Sequence, residues 1–200
     1  MDIREAAKNF EKRGFKVSCF ETGKEAADYI NANVDGKTVG FGGSVTLKEL
    51  GLDESLAAHN TLYNHWKTPE GMTANEVRAL AARAEVYMCS ANGASMQGDL
   101  VNIDGTANRV ASMVYGHKKY YFVLGKNKLA ATLEEAVDRA KNIAAPLNAK
   151  RLGCKTPCVS GGRCFDCDSP ARICNATVIM SRPTGKSDME IVFVNEELGY

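Results

Sequence analysis

KTVGFGGSVTLKELGL, residues 37–52, reads as a short strand, a glycine-rich loop and the start of a helix. Asp35-Gly36 turns the chain into the apolar run Lys37–Gly40. The loop Phe41-Gly42-Gly43-Ser44 follows, and Leu47, Leu50 and Leu52 then fall at helical spacing. Upstream, Asp2–Arg13 has a helical pattern and Phe15–Phe20 an extended one. Thr22-Gly23 opens a further helix with Ala26, Ala27, Tyr29 and Ile30 as its inner stripe. Downstream, Asn60–Tyr63 is a candidate strand. Thr73–Ala84 is a helix whose Thr73 and Glu76 form a capping box, and Glu85–Cys89 is an apolar strand. The small-residue loop Ser90–Ser95, a hairpin-like Asp99–Asp104, a helix at Ala107–Val114 and the β run Tyr120–Leu124 come next. A helix over Thr132–Ala144 ends where Pro146 stops it. The β runs Ala176–Met180 and Met189–Val194, joined by turn residues and no helix, are expected to pair antiparallel. Strands alternating with helices at this spacing predict an α/β fold, a mainly parallel sheet flanked by helices. Residues 1–200 are expected to form a single domain.

Ligands in such sheets sit beyond the carboxyl ends of the strands. Gly42 and Gly43 let the backbone approach a ligand closely, and Ser44 and Thr46 add hydroxyl groups; the bland alternative is a tight turn with Ser44 as a helix cap. No Gly-Lys-Ser/Thr follows, so the loop is not a Walker motif. A second cluster joins Asp104, Asn108 and Arg109. Its guanidinium suits a carboxylate or phosphate, and the alternative is an Asp104–Arg109 pair that fixes the turn. Asn127 and Lys128, in the loop Gly125–Lys128, make a third candidate anion contact. His59, His65 and His117 show no ligand spacing and are assigned structural or surface roles. Trp66 either covers the pocket or packs. A net charge of +1 offers no basic surface for a nucleic-acid partner.

Five of the seven cysteines fall in CKTPCVSGGRCFDCDSPARIC, residues 154–174. The N-terminus is charged and helical, without an apolar run that would serve as a secretory signal or membrane span, so a cytoplasmic location is expected. In a reduced compartment a thiolate-bound metal is favoured over free redox-sensing thiols and over disulfides. Residues 154–175 are therefore read as a metal-binding cysteine loop.

Taken together, VGFGGSVTLKELGL (39–52), NIDGTANRVASMVYG (102–116), VLGKNKL (123–129), NIAAPLNAKRL (142–152), TPCVSGGRCFDCDSPARICN (156–175) and VNEELGY (194–200) resemble the LUD-domain family, named for lactate-utilization proteins. The resemblance implies a fold similar to the ribose-5-phosphate isomerase and CoA-transferase group, with the glycine loop in the substrate pocket. For a short chain with this cysteine motif it implies an iron–sulfur association. It further implies a redox role with an iron–sulfur electron-transfer partner protein, in the metabolism of lactate or a similar 2-hydroxy acid. Cys158, Cys164, Cys167 and Cys174 share the motif, with five, two and six residues between them, and Cys154 lies outside it. Structural zinc sites usually come as two short cysteine pairs, and only Cys164–Cys167 looks like one. The irregular spread favours a [4Fe–4S] cluster, with zinc as the alternative. Gln97 stands where an acidic residue is expected in such relatives, and Glu49 and Asp104 are the nearest carboxylates to a transferase-type glutamate.

The leading expectation is thus an iron–sulfur protein that binds a small anionic metabolite, leaving open whether the chain is itself an enzyme. The alternatives are a cofactor-free isomerase- or transferase-like enzyme with a structural zinc, and a non-enzymatic metal- or redox-responsive subunit. A homodimer through the last strands is left open as well.

Overall fold

The computed structural model describes residues 1–200. Its first helix, α1 (Ile3–Lys12), buries Ile3, Ala6, Ala7 and Phe10, one stripe at helical spacing, and Asp2 caps it by accepting the Arg4 N–H at 2.8 Å. β1 (Lys16–Phe20) leads to α2 (Gly23–Asn33). Thr22 and Glu25 exchange side-chain-to-backbone hydrogen bonds there as a capping box. β2 (Thr38–Phe41) runs into the glycine loop. Two short helices follow, α3 (Val45–Glu49) and α4 (Leu52–Ser55), separated by Gly51 at φ +63°. The chain continues through β3 (Thr61–Asn64), α5 (Ala74–Ala81) with the Thr73/Glu76 capping box, β4 (Val86–Cys89), β5 (Gly93–Ser95) and β6 (Leu100–Asp104). Then come α6 (Asn108–Val114), β7 (Lys119–Gly125), β8 (Leu129–Ala130), α7 (Leu133–Arg139), α8 (Ala145–Arg151), α9 (Pro157–Gly161), β9 (Ala176–Met180) and β10 (Asp188–Val194).

Six strands form an all-parallel sheet in the order β1-β10-β7-β4-β2-β3, flanked by helices. Four more form a smaller mixed sheet, β8-β5-β6-β9, with antiparallel β5–β6 and β6–β9 pairs and a parallel β5–β8 pair. A cluster of 20 buried apolar residues joins both sheets, with Tyr87, Phe122 and Phe193 of the larger and Ala94, Leu100 and Met180 of the smaller. A second cluster of 15 covers the other face, under Ile30 of α2 and Leu47 of α3. The α/β architecture therefore follows the sequence reading.

Three local expectations are corrected. β9 and β10 do not pair with each other: β9 lies antiparallel to β6, while β10 inserts parallel between β1 and β7. The residue patterns account for this. Met189 and Ile191–Val194 in β10 are apolar and buried on both faces, which suits a covered central strand. β9 exposes Thr177 and Ile179 between less exposed neighbours, which suits an edge. Pro146 does not stop its helix. A π-turn at Ala140–Ala144 widens the backbone just before it, and α8 restarts with Pro146 in its first turn, where no N–H is needed. Ser90–Ser95 is not all loop, because β5 occupies Gly93–Ser95.

Gly40 is required by the approach of α5 to β2, since a Cβ there would lie well inside van der Waals contact of the Ala81 carbonyl oxygen. Replacing Gly40 with Ala is expected to lower stability by about 2 kcal/mol, read as a fall in melting temperature of roughly 4–8 °C. An unchanged melting curve would mean that α5 is not held this close.

Candidate functional site

The loops that follow β2, β4, β6 and β7 meet at the carboxyl end of the large sheet around a cavity of about 190 Å³. Gly42, Gly43, Ser44, Thr46, Asp104, Asn108, Arg109 and Lys128, all candidates from the sequence, line it. Asn127 does not. Its amide instead holds the segment 195–200, donating to the Leu198 and Gly199 carbonyls and accepting the Leu198 N–H at 3.1 Å. Ser44 lines the cavity, and its Oγ accepts the Leu47 N–H at 3.3 Å to cap α3, as the alternative reading has it. The Thr46 hydroxyl donates to Leu198 O at 3.3 Å.

The two glycines are dictated by packing. A Cβ on Gly42 would lie 2.5 Å from the Tyr87 hydroxyl and 3.0 Å from Cγ of Arg109. Gly43 is at φ +51°, and a Cβ there would crowd His65 at 3.0 Å and the Trp66 ring nitrogen at 3.3 Å. One glycine thus abuts the Arg109 wall and the other the His65–Trp66 wall.

Asp104 does not pair with the Arg109 guanidinium. Its Oδ2 accepts the backbone N–H groups of Arg109 at 3.0 Å and of Val110 at 3.2 Å, tying down the first turn of α6. The guanidinium donates to neutral oxygens, Asn92 Oδ1 at 3.2 Å and Ile103 O at 2.7 Å. Arg78, Arg151 and Lys128 line the same cavity, and none of these cations belongs to any ion pair of the chain. Arg151 bonds Asn148 Oδ1 at 2.7 Å and the Tyr200 hydroxyl at 2.7 Å, and its guanidinium lies 4.7 Å from the centre of the Trp66 ring. The Nε of Arg78 and Nδ1 of His65 are buried without a hydrogen-bond partner. Burial, and then Arg78, hold the His65 imidazole below its ordinary range, so it is neutral at neutral pH. Lys128 is buried and donates to Tyr200 O. Burial first, and then Arg139, lower its ammonium to about 7, with Arg109 adding to the effect and Glu49 opposing it. Neutral oxygens fix the three arginines in place without cancelling their charge.

His65, Arg78, Asn148, Arg151, Ile173 and Tyr200 are among the lining residues that sequence reasoning missed. Asn148 and Arg151 share a face of α8 at i, i+3, a spacing that goes unseen if Pro146 is taken to end the helix. Arg78 reads as an ordinary surface residue of α5. Trp66 lines the cavity and packs against the Arg151 guanidinium. Of the carboxylates considered for catalysis, Glu49 accepts the Gly199 N–H at 2.6 Å outside the lining and Asp104 is engaged as the cap.

The cysteine loop packs beside this cavity. Cys158, Cys164, Cys167 and Cys174 line one small cavity of about 20 Å³, and Cys154 does not. All seven cysteines are free thiols, so the disulfide reading finds no pair in the structure. Arg172 braces the loop, donating to Cys167 O at 2.7 Å, Cys174 O at 3.1 Å and Asp166 Oδ1 at 3.0 Å. Asn142, in the π-turn, accepts the Cys164 N–H at 2.9 Å, and the Asp166 N–H points at the Cys164 sulfur at 3.3 Å. Burial raises the Cys174 thiol, the Cys164 thiol adds to this, and Arg172 opposes it. No three His, Cys, Asp or Glu side chains are grouped so as to hold a single metal ion. Ile173 lines both the thiol cavity and the cation cavity. No helix is long and apolar enough to cross a membrane.

Anion affinity is expected to fall as pH rises through about 7, because Lys128 loses its proton there while the arginines keep theirs. Titration of an anion at pH 6 and at pH 8.5 reads this, and Lys128→Met should flatten the dependence between them. Separately, Arg109→Ala should leave the chain folded, with a cooperative melting curve, while weakening anion binding roughly 10- to 100-fold, the range for a lost charged hydrogen bond.

The LUD domain family model matches residues 3–194. The crystal structure of a DUF162 family protein from Deinococcus radiodurans is similar in fold, with a TM-score of 0.50 and 14% identity over 97% of this chain and 98% of that one. No curated protein matches the chain.

Proposed function

This chain belongs to the LUD domain family, and from that premise we propose that it binds a small anionic metabolite and works in the redox metabolism of lactate or a similar 2-hydroxy acid. Oxidation of such an acid to the 2-oxo acid removes two electrons and two protons. The role is that of an oxidoreductase component acting with an iron–sulfur electron-transfer partner protein. The observation that carries the reading is the sharing of Ile173 between a cation-lined cavity and a four-thiol cavity, which sets a candidate redox centre against a candidate anion site.

The donor set fits a cluster. Tetrahedral zinc draws four ligands to one point at ~2.3 Å, whereas a [4Fe–4S] cube takes one thiolate on each iron and leaves the sulfurs apart. Cys158, Cys164, Cys167 and Cys174 line one cavity, and that common lining of four thiols supports the cluster reading. A cluster held there would supply one-electron transfer. The chain's own residues hold the acid: Arg109 and Lys128 meet its charge, Trp66 and Arg151 shield it from water, and neutral His65 is a hydrogen-bonding group beside it. Their lining of the same cavity supports this reading.

Anaerobic purification followed by iron and acid-labile sulfide analysis is expected to find about four of each per chain. Zero iron with stoichiometric zinc would remove the redox role and leave a cofactor-free isomerase- or transferase-like enzyme stapled by zinc. Cys167→Ser should lose the metal and lower the melting temperature. The Asn175 N–H donates to Asp104 O and its amide to Gly105 O, each at 3.0 Å, so a loosened loop pulls on the cavity rim.

A further inference from the structure

The charge of the cavity sets a condition that a simple 2-hydroxy acid does not meet. Lys128 and the Tyr200 oxygen it meets aside, Arg78, Arg109 and Arg151 line it against the single side-chain carboxylate of Asp104, and guanidinium groups do not deprotonate in proteins. At neutral pH these guanidinium groups therefore leave two positive charges without a side-chain counter-charge in a space of about 190 Å³. Like charges brought together in a partly dry site repel one another strongly, and a counter-charge relieves them. One carboxylate would neutralise only one.

The cations also fall into two groups, one against each glycine of the loop. Arg109 packs its stem against Gly42 and acts electrostatically on Lys128. Arg151 lies over Trp66, whose indole nitrogen and neighbouring His65 ring crowd Gly43, and Arg78 and Arg151 both act on His65. The buried Nε of Arg78 has no partner at all, although a buried donor left unpaired is costly. Each group carries an Arg fork that suits a carboxylate or phosphate.

We propose that the metabolite bound here carries two anionic groups, one for the Arg109–Lys128 side and one for the Arg78–Arg151 side. Small phosphorylated or dicarboxylic hydroxy acids fit this description, and lactate does not. This inference rests on the anion-binding reading above and narrows its substrate class.

Trp66 is the chain's single tryptophan and lines the cavity, so its fluorescence reports occupancy directly. Titrations of the purified protein with lactate, malate and 3-phosphoglycerate, at one pH near 7 and constant ionic strength, decide between one anionic group and two, with calorimetry as the second readout. Malate or 3-phosphoglycerate should bind about 10- to 100-fold more tightly than lactate. Arg78→Ala should weaken malate and 3-phosphoglycerate binding by a clearly larger factor than lactate binding, erasing most of that preference. Lactate binding as tightly as both dianions would overturn the inference and leave the anion-binding reading intact. So would an Arg78→Ala variant that binds all three ligands more weakly by the same factor. No saturable response to any of them by either readout would remove the anion-binding reading itself, and this inference with it.

Discussion

Asp104 turns its carboxylate onto the backbone of the helix that follows it, accepting the N–H groups of Arg109 and Val110. A carboxylate so placed cannot also clamp the Arg109 guanidinium, which is left to the neutral oxygens of Asn92 and Ile103. The character of the cavity depends on that division. Had the side chains paired, Arg109 would be a neutralised strut. As folded, the helix is held and the guanidinium keeps its charge where β2, β4 and β6 end. Arg78 and Arg151 repeat the arrangement with the amide oxygens of Asn75 and Asn148, so the site is a cradle of cations fixed before any ligand arrives.

The smaller sheet gives this cradle its neighbour. β9 docks along β6, and its first residue pairs with Asp104, so the chain leaving the cysteine loop is stitched to the strand that ends in the cavity. Gly105 allows the contact, since a Cβ there would lie 3.2 Å from the Ile173 carbonyl oxygen. On the other side, the π-turn before Pro146 presents Asn142 to the Cys164 N–H, and α8 beyond it carries Asn148 and Arg151 to the cavity. One continuous helical segment, from α7 through α8, therefore touches the thiol loop at its middle and the anion site at its end. The segment 195–200 closes the remaining side. Gly199 at φ +58° lies close to Thr46, and Tyr200 reaches both Lys128 and Arg151.

Much of this was legible in the residues. The alternation of strands and helices, the capping boxes at Thr22 and Thr73, and the glycine loop after β2 are local properties, written in side chains within a few positions of one another. Eight of the nine pocket residues proposed from the sequence line the cavity, because the carboxyl-end rule for parallel sheets needs only the strand boundaries. The partner of each strand, the fate of Pro146 and the addresses of His65, Arg78, Arg151 and Tyr200 were not legible. Those depend on which surfaces are buried against each other, and residues far apart in the chain decide that together. Local chemistry along the chain thus determined the elements, the glycine loop and the thiol-rich segment. Packing alone decided that β10 is central and β9 an edge, that Asp104 caps rather than pairs, and that one isoleucine separates the thiols from the cations. Burial and charge compensation are properties of the whole assembled core, and no single stretch of sequence carries them.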